Sequence, residues 1–134
     1  MAPRIGIVLA FFEACAFGFV CALHLGAHVE ILGVTLSAPF LYPAAIVEGI
    51  LALALLLAVV LPGDLAMRAG RVLASQILSV IGIFVTQIAL LRGALFAVAR
   101  EELFYAIALV LALCSIALVA SPMTRRARIT HNRA

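Results

Sequence analysis

The sequence has no tryptophan, no lysine and few charged residues of any kind. Of its 134 residues, 11% are charged and 67% are hydrophobic. An ordinary soluble domain carries roughly 25% charged residues, so a chain this apolar cannot cover a water-facing surface. The shortage of charge therefore argues against a soluble protein.

Motifs for catalysis and cofactor binding are missing as well. The chain contains no phosphate-binding glycine loop, no GxSxG, no HExxH and no CxxC pair. Its three cysteines, Cys15, Cys21 and Cys114, lie in apolar segments, which argues against a disulfide framework. We expect no cofactor and favour a non-enzymatic protein, although missing motifs leave enzymatic activity open.

Four long apolar runs occupy most of the chain. A helix needs about 20 predominantly apolar residues to cross the hydrocarbon core of a bilayer. The runs that meet this requirement extend from Ile5 to Leu25, Pro43 to Leu61, Val72 to Leu91, and Leu103 to Ala120. Short connections join neighbouring antiparallel helices. The pattern predicts an all-α, antiparallel four-helix transmembrane bundle, with residues 1–134 forming one domain.

The arginines predict the orientation of this bundle. On a four-span model only Arg92 and Arg100 fall on the side opposite the other seven basic residues. Positive charge is enriched on the cytoplasmic side, so both termini are expected there, with 121–134 as a basic cytoplasmic tail. The protein is then expected to be a multi-pass membrane protein with both termini inside the cell. Its basic charge fits contact with anionic lipid and does not indicate nucleic-acid binding.

The chain between the first two spans is apolar but too broken for a helix. Gly33, Thr35, Ser37 and Pro39 interrupt it, and "HVEILGVTL" partly alternates with β-branched residues. We expect a short hairpin or extended segment on the outer side.

Two spans carry stripes of small or polar residues that indicate helix packing or association with another subunit. In the first span the stripe consists of Gly6, Ala10, Ala14, Gly18, Ala22 and Gly26. In the third span Ser75, Ser79, Gly82, Thr86 and Gly93 fall on one arc, with Gln76 and Gln87 beside it. The fourth span lacks such a stripe and is expected to face lipid.

Glu13 and Glu48 are the ionisable residues within the predicted spans. A charge there costs roughly 2.5–3.5 kcal/mol on insertion scales, so such carboxyl groups are candidates for function. Either could couple proton binding to the transport of a small molecule. The alternative is structural, with Glu48 hydrogen-bonded to Gln87 or to a backbone carbonyl. The two carboxyl groups are expected at different depths.

His24 and His28 are four residues apart and can share one helical face. With Glu30 or Glu48 they could form a site with two histidines and one carboxylate for a metal, whose identity is unknown. With Glu48 and Gln87 they could instead line an outward-facing ligand pocket. The alternative is that both rings lie in the interfacial layer without a ligand.

The segment "LYPAAIVEGILALALLLAVVLPGDLAMRAG" resembles part of DoxX-like small bacterial membrane proteins. Pro43, Glu48, Gly49 and the Leu-rich run carry the likeness. It implies a four-helix bundle in a bacterial inner membrane, with ties to redox complexes. Glu13 is also similar in position to the glutamate of the small multidrug resistance family. The longer segment after His28 and the lack of tryptophan depart from that family.

Together these observations favour a structural or accessory subunit of a membrane complex. Its expected partners are the lipid bilayer and another membrane protein or a second copy of the chain. The alternatives are a proton-coupled carrier using Glu13 or Glu48 and an outward-facing ligand or metal binder.

Overall fold

The computed structural model describes residues 1–38, 41–93 and 99–131, and it is mainly helical. The described elements are α1 (Ala2–His24), β1 (Val29–Ile31), β2 (Val34–Leu36), α2 (Tyr42–Val60), α3 (Leu65–Gly93) and α4 (Ala99–His131). Each of these four helices contains a stretch long and apolar enough to cross a bilayer: Ala2–His24, Tyr42–Val60, Leu65–Ile88 and Leu103–Ser121. The expectation of four apolar helices is confirmed.

The hairpin expected between the first two spans is present. β1 and β2 pair antiparallel, with Val29 opposite Leu36 and Ile31 opposite Val34. The two residues between the strands, Leu32 and Gly33, have φ values of 52° and 77°. Two consecutive positive φ values are typical of the tight turns whose twist matches that of a β-hairpin.

Helix α3 begins earlier than predicted. The predicted third span begins at Val72, but the preceding segment 65–71 forms the first two turns of α3. The reason is a helix cap, because the Asp64 carboxylate accepts a hydrogen bond of 2.7 Å from the Met67 amide. Arg71 then reaches back and donates to the Leu61 carbonyl at 2.7 Å and to the Pro62 carbonyl at 3.2 Å. These contacts hold the turn between α2 and α3.

The expectation that the fourth span faces lipid is wrong for one side of α4. This side buries residues spaced three or four apart: Tyr105, Ala108, Ala112, Ser115 and Val119. The stripe packs against α1 and α3. Helix α4 also continues to His131, so most of the predicted basic tail is helical.

The stripe of small residues in the first span is confirmed only in its first half. Gly6, Ala10 and Ala14 are buried, whereas Gly18 and Ala22 are exposed. The buried face of α1 instead continues through Phe17 to His24. Because an α-helix has 3.6 residues per turn, residues spaced strictly four apart do not stay on one face along the whole helix.

The polar stripe of the third span does face the interior at Gln76, Ser79 and Thr86. Much of the surface away from the core consists of large apolar side chains, including Phe12, Leu53 and Leu103, each more than half exposed. Such a surface suits lipid, because a soluble protein rarely exposes continuous apolar area of this extent.

Candidate functional site

Three buried polar side chains from three helices meet at one point. His24 is the last residue of α1, Glu48 lies in α2 and Tyr105 lies in α4. The Nδ1 atom of His24 is 2.8 Å from Oε2 of Glu48, and the Tyr105 hydroxyl donates to Oε1 of Glu48 at 2.5 Å. His24 and Glu48 are 0% exposed and Tyr105 is 2% exposed. We call these three residues the histidine cluster.

The helical repeat places Glu48 in the interior. Helix α2 buries a face whose members are three or four residues apart: Ala44, Ala45, Glu48, Leu51, Leu55 and Ala58. Glu48 therefore sits in the middle of an otherwise apolar stripe. Its position on the stripe, opposite the end of α1, brings its carboxyl group to the His24 ring. Beside it, the Cys21 thiol donates to the Ala45 carbonyl at 3.1 Å.

The geometry lets the histidine cluster hold a proton between its members. If His24 is protonated, its contact with Glu48 is a buried ion pair, and if it is neutral, Nδ1–H donates to the carboxylate. In both states the two carboxylate oxygens of Glu48 are engaged. A buried polar group with all its partners in place makes a specific contact between helices. The cluster thus joins α1, α2 and α4.

A second polar contact lies deeper along α1. The Gln76 amide nitrogen in α3 donates to Oε2 of Glu13 at 2.7 Å, and both residues are 0% exposed. Ser79, also 0% exposed, lies three residues after Gln76 and therefore on the same face of α3. Oε1 of Glu13, Oε1 of Gln76 and Oγ of Ser79 have no hydrogen-bond partner among the described residues. We call these three residues the glutamine cluster.

The two carboxyl groups do lie at separate depths. Each has its own set of partners, in the histidine cluster and in the glutamine cluster. Eleven residues separate Glu13 from His24 on α1, or about 16 Å at 1.5 Å per residue. Phe17 lies between them, fully buried, with its ring edge against Phe104 at a centroid distance of 5.8 Å.

The structure brings His24 to Glu48, but it does not bring Gln87 there. The partners of Glu48 are His24 and Tyr105, so the expected bond to Gln87 is wrong. Gln87 is only half-buried, while the preceding Thr86 is buried. A single residue step rotates the side chain by 100° around α3, which turns Gln87 away from the core.

His28 and Glu30 are not part of the histidine cluster. Helix α1 ends at His24, so His28 does not continue its helical face, and both His28 and Glu30 are exposed. In the described ranges no three His, Cys, Asp or Glu residues are placed to hold a metal ion. His24 and Glu48 are buried in the interior, so the structure does not bring His28 or Glu30 into one site with them, as the alternatives of a metal site or an outward-facing pocket require.

Tyr105 is the member of the histidine cluster that sequence reasoning missed. Its position near the end of a span favours an aromatic anchor at the membrane surface. The signal that identifies it is the helical spacing from Tyr105 through Ala108, Ala112 and Ser115, which places it on the same face as small residues. Small residues in a span mark the side on which helices approach closely.

An open depression on the surface of α2 has a volume of about 320 Å³. Its lining is apolar and consists of Leu25, Ala45, Ile46, Gly49, Ile50 and Leu53. None of the candidate site residues lines it. It offers a ligand no charged group.

No protein-family model, curated protein or solved structure matches the chain. The resemblance to DoxX-like proteins stays a prediction. The functional interpretation consequently rests on the two buried clusters and on the helices that carry them.

Proposed function

We propose that the chain forms an antiparallel four-helix bundle in a bacterial inner membrane, with both termini in the cytoplasm. Contacts between packed helices support the antiparallel order, because residue numbers rise along one helix as they fall along the other. The supporting pairs are His24 with Glu48, Gly18 with Ala52, Leu51 with Gly82, Ala54 with Ser75, Phe17 with Phe104, and Gly6 with Val119. The arginine bias supports the orientation.

Labelling of single cysteines in intact cells tests this orientation. In a variant whose three native cysteines are replaced by serine, Thr35→Cys places a thiol in the exposed strand β2, and Ala66→Cys places one in the exposed first turn of α3. We expect a membrane-impermeant maleimide to label the Thr35→Cys variant from outside. The Ala66→Cys variant should react only after permeabilisation, and the reverse pattern would invert the bundle.

We further propose that the protein is a non-enzymatic structural or accessory subunit of a membrane complex. The observation that carries this proposal is the histidine cluster. Both oxygens of Glu48 are engaged by residues of the chain itself, and the contact joins three helices. A substrate-binding carboxylate needs an open position, whereas a satisfied one stabilises the arrangement of the helices.

The outward face of α1 supports association with a partner membrane protein or a second copy of the chain. Ala22 is small and exposed on this helix, with the Phe12 and Phe19 side chains also exposed. Small residues let the backbones of two helices approach in lipid, and exposed aromatic side chains add contact area.

Co-purification from native membranes tests the accessory role. The tagged protein is expected to recover a stoichiometric partner, and Ala22→Ile should lower that recovery several-fold by keeping the two helices apart. The matched control is Ala117→Ile, which enlarges an equally exposed alanine on α4. Recovery of the chain alone at native abundance, or equal recovery with both variants, would contradict the proposal.

A proton-coupled carrier is the second candidate function, and the glutamine cluster favours it. Oε1 of Glu13 has no partner among the described residues, so this carboxyl group has an open position that Glu48 lacks. In such a carrier Glu13 releases its proton when a small organic cation binds. Glu48 is less suited to this role because both of its oxygens are engaged.

A further inference from the structure

The glutamine cluster contains three oxygen atoms without a partner in the described part of the chain: Oε1 of Glu13, Oε1 of Gln76 and Oγ of Ser79. Their side chains are 0% exposed. A buried polar atom that lacks a partner costs roughly 1–3 kcal/mol, so a native protein seldom leaves three together. Oxygens in this state are available to an ion.

Ser79 differs from the other hydroxyl groups of the core. Ser75, Thr86 and Ser115 each donate to a backbone carbonyl, at 3.3, 2.9 and 2.9 Å. Thr86 bonds to its own helix, as hydroxyl groups in helices commonly do, whereas Ser75 bonds to α2 and Ser115 to α1. The Ser79 hydroxyl makes no such bond among the described residues, although it lies on the face of α3 that carries Gln76 and is equally buried.

The Gln76 amide is oriented by its contact with Glu13. Its nitrogen donates to Oε2 of Glu13 at 2.7 Å, which leaves one oxygen of the amide and one of the carboxylate for another ligand. An amide that donates to a carboxylate with one end can coordinate a cation with the other. The contact therefore joins two side chains that each keep one unpartnered oxygen, and Ser79 lies one helical turn along α3 from Gln76.

The described buried residues around the glutamine cluster are apolar. On α1 it is flanked by Ala10 and Ala14, and on α4 the buried residues between Phe104 and Ser115 include Ala108 and Ala112. On α2 the corresponding buried residues are Leu55 and Ala58. None of these side chains is ionisable, so the Glu13 carboxyl group is the acidic group that they leave for a bound cation.

We propose that Glu13, Gln76 and Ser79 bind one sodium ion. A carboxylate, an amide carbonyl and a hydroxyl are oxygen ligands, which hard cations prefer. One carboxylate with one monovalent ion is neutral, whereas a divalent ion would leave an uncompensated charge in apolar surroundings. The ion also supplies the partner that all three oxygens lack. This inference is independent of the accessory role.

Sodium-dependent stability of the purified full-length protein in detergent tests the site. The melting temperature is measured in sodium chloride and in choline chloride at equal ionic strength. Binding to the folded state alone should raise it in sodium by roughly 5–10 °C at about 100 times the dissociation constant. Glu13→Gln should abolish the sodium-dependent shift of the melting temperature. Ser79→Ala should raise the sodium concentration that gives half of this shift about tenfold. The matched control Ser75→Ala, whose hydroxyl already has a partner, should leave that concentration unchanged.

A carbodiimide that modifies protonated carboxyl groups provides a second, residue-specific measurement. Sodium is expected to slow modification of Glu13 at least several-fold and to leave Glu48 unaffected, as read by mass spectrometry of the two peptides. Equal melting temperatures in both salts would overturn the sodium site. A sodium-dependent shift that persists in Glu13→Gln would overturn it as well. If sodium raises the melting temperature but co-purification recovers no partner, the accessory role is contradicted and the sodium site is not.

Discussion

Replacing Glu48 by alanine is expected to lower the free energy of unfolding by about 3 kcal/mol. The change removes the acceptor that His24 and Tyr105 share in the interior. It also replaces the carboxylate beside the buried His24 ring by an apolar side chain. Equilibrium unfolding of the purified protein in mixed detergent micelles measures the loss.

Two further variants locate the effect in the histidine cluster. Tyr105→Phe removes one hydroxyl and should cost about 1 kcal/mol, the usual size of one interhelical hydrogen bond in a membrane protein. Glu30→Ala removes an exposed carboxylate of β1 and should change stability little. In a double-mutant cycle, His24→Ala and Glu48→Ala should cost less together than the sum of the two single losses. Additive losses would show that the two side chains are not coupled.

Replacing Gly6 by leucine is expected to destabilise the protein by about 3 kcal/mol, because α1 and α4 approach too closely there for a larger side chain. A Cβ atom at Gly6 would lie 2.6 Å from Cγ2 of Val119 and 3.1 Å from the Ser115 carbonyl oxygen. The Ser115 hydroxyl also donates to the Gly6 carbonyl at 2.9 Å, and separating the helices breaks this bond. The same unfolding measurement applies.

Gly70→Leu is the matched control, since it makes the same change at a helical glycine with nothing within 4 Å of the new Cβ. It should leave stability unchanged or raise it by up to about 1 kcal/mol, because leucine favours helix more than glycine does. A loss in this variant equal to that of Gly6→Leu would mean that the close approach of α1 and α4 does not limit the size of residue 6.

Composition and periodicity identified the four helices and the hairpin of this chain, but not all of their ends. Pro43 is correctly expected at the beginning of α2 because proline fixes its own φ, and Gly33 is correctly expected in the hairpin because glycine tolerates a positive φ. The N-terminus of α3 was predicted too late because the apolar run of the third span begins only at Val72. The cap supplied by Asp64 was overlooked, although its signal is local and present in the sequence.

The candidate site was only partly predictable. His24, Glu48 and Glu13 stand out because ionisable residues are costly in apolar segments, whatever their partners. The hydrogen-bond partners of these residues were harder to predict from the sequence. Gln87 was chosen for Glu48 on depth alone, but one residue step around α3 turns it away from the core, and Tyr105 of α4 supplies the bond instead.

The sequence by itself determined that the chain has four apolar helices, where a hairpin interrupts them and that two of the helices carry a glutamate in an apolar run. These properties follow from local composition and from the 3.6-residue repeat, which involve one segment at a time. Only the tertiary structure decided that Glu48 contacts His24 and Tyr105, and that Glu13 contacts Gln76. Such pairings depend on the relative rotation and axial shift of packed helices, and these are set by close contacts such as that of Gly6 with Val119.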